Sequence, residues 1–299
     1  MLTSTATQIY TWNGYRCTYD RLAPPTEQGV PLLLIHPIGV GLSRQFWQRF
    51  CAEWRRSELH NPIYNPDLLG CGESDMPHFA FYPADWAEQL GWFLQTVVQT
   101  PVVLVVQGAL LPVAIELVQR QPDLIRGLVL SGPPAWALLT RRTPDWQHRL
   151  SWNLLDSPIG SAFYRYARRS QFLRSFSTRQ LFATEAAVDA EWLEMLQHGA
   201  HDPASRHAVF SFLASFWRQD YADAIQHITQ PTLIVLGEQA SSISREGKQE
   251  TLDQRLSDYQ AAFPNAHGVK IPGRNVLPYE STQEFVQAIA PFVQRLGDR

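Results

Sequence analysis

Lysine is almost missing from this chain: Lys248 and Lys270 stand alone, and the rest of its 25 basic residues are arginine. Arginine stays charged in every environment and binds carboxylate or phosphate through two parallel donors. Cysteine is scarce as well. Cys17, Cys51 and Cys71 are odd in number and fit no zinc or CxxC spacing, so they read as buried free thiols in a reducing compartment. Long apolar runs are absent too, since PLLLI and PVVLVV have strand length and cannot span a bilayer. The opening MLTSTATQIYTWNG lacks a basic stretch followed by an apolar one, so no secretory signal is read there and a cytoplasmic protein is expected. Charge is nearly balanced, at −3 net, which gives no push toward nucleic acid. No residue set calls for a metal or an organic cofactor.

What is present is enough sequence for one large core with a lid, at 299 residues, 45% hydrophobic and 18% charged. Short apolar runs bounded by Pro, Gly or Asn alternate with longer amphipathic stretches, the pattern of a mostly parallel sheet flanked by helices. Strands are expected at Val30–Ile35, Ile63–Asn65, Val102–Gln107, Gly127–Ser131, Thr232–Leu236 and Gly268–Ile271. An opening hairpin is expected from Gln8–Trp12 and Tyr15–Tyr19, turning at Asn13-Gly14. Helical spacing of apolar residues runs over Arg44–Arg55, Pro83–Val98, Leu110–Arg120 and Thr282–Leu296. From Trp136 to His227 no strand is read, only helix-like sequence rich in aromatics. The expected division is therefore a core of residues 1–135 and 228–299 with a helical cap, 136–227, inserted after the sixth strand.

Five blocks in order carry a resemblance. His36-Pro37-Ile38-Gly39 follows a strand; Asp67-Leu68-Leu69-Gly70-Cys71-Gly72-Glu73-Ser74-Asp75 fits D-x-x-G-x-G-x-S-D. Gln121–Leu130, Pro231–Glu238, and Leu277-Pro278-Tyr279-Glu280 followed by Glu284-Phe285 complete the set. Together these blocks resemble the α/β-hydrolase superfamily, in the group that holds epoxide hydrolases, haloalkane dehalogenases, haloperoxidase-like esterases and related lyases. The resemblance implies an α/β fold with a mostly parallel eight-stranded sheet flanked by helices and a helical cap. It also implies a nucleophile–acid–histidine triad, and there the sequence departs from the family. The elbow register, G-x-nucleophile-x-G in the family, reads Val106-Gln107-Gly108-Ala109-Leu110. The acid position is Ala240 and the histidine position is Val276, preceded by Asn275. Val106 and Leu110, bulky where the family has glycine, imply a relaxed or reshaped turn. No slipped register restores the triad: Glu238 matches a non-catalytic family residue, and His267 falls at the wrong end of its strand.

The resemblance places His36, Ile38, Gly39, Gln107 and Ala109 around the pocket and the oxyanion loop, with His36 as a shaping residue. Ser43, Ser74 and Asp75 read as turn and loop residues. His198, His201 and His207 cluster in sequence without a regular ligand spacing and are not read as a metal site. Arg141, Arg142, Arg149, Arg165, Arg168, Arg169, Arg174 and Arg179 face only Asp145 and Asp156 before Glu185, interleaved with Trp, Tyr and Phe. One reading is a solvated lid whose aromatics pack on the pocket. The other is a surface for an anionic partner, centred on Arg165, Arg168 and Arg169. The functional expectation is a catalytically degenerate hydrolase-like protein that binds an apolar small molecule, or scaffolds through a protein or an anionic membrane met by the cap. The alternative is an active hydrolase or lyase with relocated catalytic groups.

Overall fold

Val102–Gln107 (β5) is buried at every residue, as a strand covered on both faces must be, and the sheet is built outward from it. The computed structural model describes residues 7–23 and 26–297; the first six residues of the opening stretch lie outside them. β1 (Gln8–Trp12) and β2 (Tyr15–Leu22) form the expected hairpin through Asn13-Gly14. β3 (Leu32–Ile35), β4 (Ile63–Pro66), β6 (Ile125–Ser131), β7 (Thr232–Gly237) and β8 (Ala266–Ile271) complete an eight-stranded sheet in the order β1-β2-β4-β3-β5-β6-β7-β8. β2 runs antiparallel to β4, and every pair from β4 to β8 is parallel.

Helices cover both faces. α1 (Gln48–Arg56) turns Phe50, Cys51 and Trp54 inward, where they meet α12 (Thr282–Gly297) through Phe285, Val286 and Ile289. α2 (Pro83–Phe93) and α3 (Leu111–Arg120) pack together on the other face. Two expected helices begin or end differently. The first opens as a 3₁₀ turn over Arg44–Trp47 with Ser43 as its cap, and the second leaves α geometry at Leu94–Val98, a π turn closed by Gln99 in left-handed backbone. Cys17, Cys51 and Cys71 are buried and unpaired.

Between β6 and β7 the chain holds only helices and turns: α4 (Asp145–Leu155), α5 (Pro158–Ala167), α6 (Ser170–Phe176), α7 (Ala190–Gly199), α8 (Arg206–Leu213) and α9 (Ala222–Gln226). This segment is anchored over the loops that follow β8. Asn275 donates its backbone N–H to Leu181 at 3.0 Å, and Glu280 accepts from the N–H of Ala183. α10 (Leu252–Ala262) and the short α11 (Leu277–Glu280) complete the elements. Among the described residues no helix is long and apolar enough to cross a membrane.

Candidate functional site

Gly108 follows the last residue of β5 and precedes α3, so it occupies a strand-to-helix corner at the carboxyl edge of the sheet, where ligands of such sheets gather. Its φ is +64°, the left-handed backbone of an elbow. The turn is therefore not reshaped by Val106 and Leu110, and glycine holds this backbone without strain. Both bulky side chains are 1% exposed and join the main apolar cluster, so the sheet interior absorbs them without altering the corner. A Cβ added at Gly108 would meet nothing within 4 Å.

Gly108, Ala240 and Val276, the positions that the resemblance assigns to a triad, lie on loops joined to one another through the residues beside them. Gln107, before Gly108, donates its amide N–H to the carbonyl of Asn275 at 2.7 Å and accepts the Ser131 hydroxyl at 2.7 Å. Asn275, before Val276, donates its amide to the carbonyls of Gln180 at 2.7 Å and Ser241 at 3.0 Å. Ser241, after Ala240, returns its backbone N–H to the Asn275 carbonyl oxygen of the side chain at 3.4 Å. Val276 is buried and Ala240 half-buried. Gln107 and Asn275 thus hold the three loops together through amide groups, which have no useful acid or base chemistry near neutral pH. The sequence signal for them was their position beside the departures; their pairing was not legible from it.

Arg274 extends this network. Its guanidinium donates to the Ser241 hydroxyl at 2.7 and 3.0 Å and to the carbonyl of Phe182. Beside it opens a cavity of about 530 Å³ that Ala240 and Ser242 also line, with Arg179 and Lys248 on its wall. None of these three cations forms an ion pair with a carboxylate among the described residues. The one carboxylate in the lining, Glu250, is already engaged by Arg255 at 2.6 Å and by the N–H of Trp136. The cavity beside the acid position is consequently cationic and hydroxyl-rich.

The other expected site residues separate. His36 is fully buried with both ring nitrogens engaged: Nδ1 lies 2.9 Å from the Pro37 carbonyl, and Nε2 accepts the Leu68 N–H at 3.1 Å. Burial lowers its pKa, so it holds the β3 and β4 loops together as a neutral imidazole. Ile38 is buried and Gly39 half-buried, packed on Leu42; Ala109 is half-buried in the turn after Gly108. Glu238 and His267 are exposed. Ser74 and Asp75 tie their loop to β2, Ser74 accepting from Thr18 N–H at 3.0 Å and Asp75 from Arg16 N–H at 2.7 Å. No described histidine hydrogen-bonds a serine, threonine or cysteine side chain.

In the cap, His207 meets not His198 or His201 but His78 and Asp156. The His78 and His207 rings stack at 4.3 Å between centroids, 20° from parallel. An ion must lie in the plane of each imidazole that binds it, and two stacked planes share no such point, so this grouping does not fit one metal as it stands. Of the cap arginines, Arg168 is spent on the carbonyls of Ala200 and His201 at the end of α7, and so leaves the free surface expected for it. Arg165 and Arg169 are exposed. Glu191 pairs with Arg49 of α1 rather than with any of these arginines.

The chain matches the family model described as "Alpha/beta hydrolase family" over residues 32–288. No protein of curated function matches it. Among solved structures it is similar to a thermophilic esterase from Thermogutta terrifontis, solved malate bound, at 19% identity and TM-score 0.73, covering 99% of this chain and 100% of that one. A haloalkane dehalogenase, DatA, from Agrobacterium tumefaciens is 15% identical at TM-score 0.73, with 98% of each chain covered. An enol-lactonase from Burkholderia xenovorans is 13% identical at TM-score 0.71, covering 96% of this chain and 99% of that one. Likeness at these identities is likeness of fold, and with the family match along most of the sequence it has one consequence: this chain belongs to the alpha/beta hydrolase family.

Proposed function

We propose that this protein is a non-hydrolytic member of its family that binds a small anionic ligand beside the former acid position. The observation that carries the reading is Gly108: the corner that would present a nucleophile has the left-handed backbone and free space, but no side chain. Ala240 and Val276 supply neither acid nor base on the adjoining loops. Loss of a whole triad in a serine protease leaves only about 10³–10⁴ of rate enhancement over water. The ligand class follows from the cavity, where Arg179, Lys248 and Arg274 face no free carboxylate and Ser241 and Ser242 add hydroxyls. That lining suits a carboxylate or phosphate better than the apolar ligand suggested by sequence. The esterase solved malate bound makes malate a natural first probe.

The test has two arms on the purified protein. Turnover of short-chain aryl esters should not exceed that of a Gly108→Val control, and serine-directed phosphonates should leave the protein unlabelled. Titration calorimetry with malate and with inorganic phosphate should detect binding that Arg274→Gln weakens by roughly tenfold or more. Stoichiometric labelling of Ser241, Ser242 or any other serine would favour the relocated-nucleophile alternative. Binding of neither probe would remove the ligand class.

A further inference from the structure

Large apolar side chains are concentrated on the outside of the cap, along one pair of helices. On α4, Trp146, Leu150 and Leu154 recur every fourth residue and are 64%, 63% and 57% exposed. On α5, Ile159, Phe163 and Tyr166 are spaced by four and three residues, again along one face, and are 69%, 40% and 53% exposed. The two helices are joined by a two-residue turn and pack against each other, so both stripes lie on one helical hairpin. The buried residues lie on other faces, His148 roughly opposite the stripe on α4 and Gly160, Tyr164 and Ala167 about 100° round from it on α5. The outward stripe is thus not a mispacked core face: each helix has an inner face already in use. The expectation that cap aromatics pack inward holds for Tyr164 and fails for Trp146 and Tyr166.

Charge surrounds this stripe with one sign. Between residues 141 and 169 stand six arginines against Asp145 and Asp156, and both acids are taken, by Arg142 and His78. Arg141, Arg149, Arg165 and Arg169 are exposed, and Arg169 lies 5.7 Å from the centre of the Tyr166 ring. A helix pair with an apolar stripe and cationic flanks has the composition of an interfacial membrane anchor, in which aromatic and aliphatic side chains enter the headgroup boundary while arginines meet lipid phosphates.

We propose that the α4–α5 face docks this protein peripherally on an anionic lipid surface. A second copy of the chain is a poorer occupant. Self-pairing about a two-fold axis through the stripe would set the arginine flanks of the two copies against each other with no free acid between them.

The experiment is cosedimentation of the full chain with vesicles of equimolar phosphatidylcholine and phosphatidylglycerol, beside pure phosphatidylcholine vesicles. Binding is expected to the anionic vesicles, to weaken as salt rises, and to be much weaker on the neutral ones. Arg165→Gln with Arg169→Gln should lower partition by about fivefold per arginine, roughly 25-fold for the pair. Leu150→Ser with Ile159→Ser should lower it by roughly tenfold or more. All four side chains are exposed, so far-ultraviolet circular dichroism of both variants should match the parent. Equal binding to both vesicle types, no binding to either, or full binding by either variant would overturn the proposal. A concentration-dependent dimer in light scattering that Leu150→Ser with Ile159→Ser dissolves would assign the face to a second copy instead. An acidic protein partner is the remaining occupant, indicated by no vesicle binding together with salt-sensitive retention on an acidic protein matrix that Arg165→Gln with Arg169→Gln abolishes.

Discussion

Gly72 and Gly108 hold nearly the same left-handed backbone, at φ +58° and +64°, in two loops at the carboxyl edge of one sheet. Their surroundings are opposite. A Cβ at Gly72 would fall 2.2 Å from the carboxylate of Asp67, whereas one at Gly108 would meet open space. Around Gly72, Asp67 is fully buried and saturated: it accepts from Arg44 N–H at 2.8 Å, Glu73 N–H at 2.9 Å and the Thr18 hydroxyl at 3.1 Å, and pairs with the Arg44 guanidinium. Arg44 itself reaches Asp20 and Glu73 as well. Around Gly108 the loops are joined by the amides of Gln107 and Asn275 and, further out, by Arg274 on Ser241, with no carboxylate among these bonds. One glycine is required by its neighbours; the other is permitted by their absence. A loop built on a buried charge retains the family pattern for reasons of folding alone, since an unpaired buried carboxylate is costly. The corner at Gly108 holds no such charge, and open space surrounds the position where a side chain would start.

The largest effect should come from breaking the charged loop. Arg44→Met leaves Asp67 buried without its cation and should destabilise the protein by about 3–5 kcal/mol, read as a lower urea midpoint.

The paired glycine substitutions sharpen the contrast. Gly72→Ala combines a disfavoured backbone with overlap on Asp67 and should cost about 3 kcal/mol. Gly108→Ala meets only the backbone preference, about 1 kcal/mol. Equal losses in thermal or urea unfolding would show that the two corners are constrained alike.

A smaller effect extends the comparison to the cap, where a buried ionisable group has no partner. Both ring nitrogens of His207 lack hydrogen bonds, and burial lowers its pKa from 6.5 to about 4, helped by Arg206 and His78 and opposed by Asp156 and Asp202. Between those pH values the unfolded chain binds a proton that the native state refuses, so stability falls as pH drops from 6.5 toward 4. The loss assignable to this residue should be on the order of 1–2 kcal/mol. Urea midpoints measured across that window should be flatter in His207→Leu than in the parent; parallel profiles would assign the acid limb to other groups, with buried His36 first among them.

Much of the fold was legible because it rests on local pattern. Apolar runs with short punctuation gave β5 with its observed ends, and the Asn13-Gly14 turn gave the hairpin. Boundaries moved where local chemistry competed: β3 starts at Leu32, after Pro31, which has no N–H for the ladder. The site was legible only as a set of positions. Gly108, Ala240 and Val276 are named by register, but whether Val106 and Leu110 would distort the corner depended on room in the sheet interior, and that was misjudged.

By itself, then, the sequence determined the alternation of strands and helices, the residues Gly108, Ala240 and Val276 at the three registers that the resemblance singles out, and the arginine-rich composition of the cap. These follow from side-chain identity and from periods of two and 3.6 residues. The tertiary structure decided the rest: which amides bridge the three loops, that Arg274 and Lys248 share a cavity with Arg179, that Arg168 caps α7 while Arg165 stays free, and which apolar stripe of α4 and α5 faces outward. Each of these depends on segments tens to more than a hundred residues apart meeting in space, and no local period encodes which partner a side chain finds there.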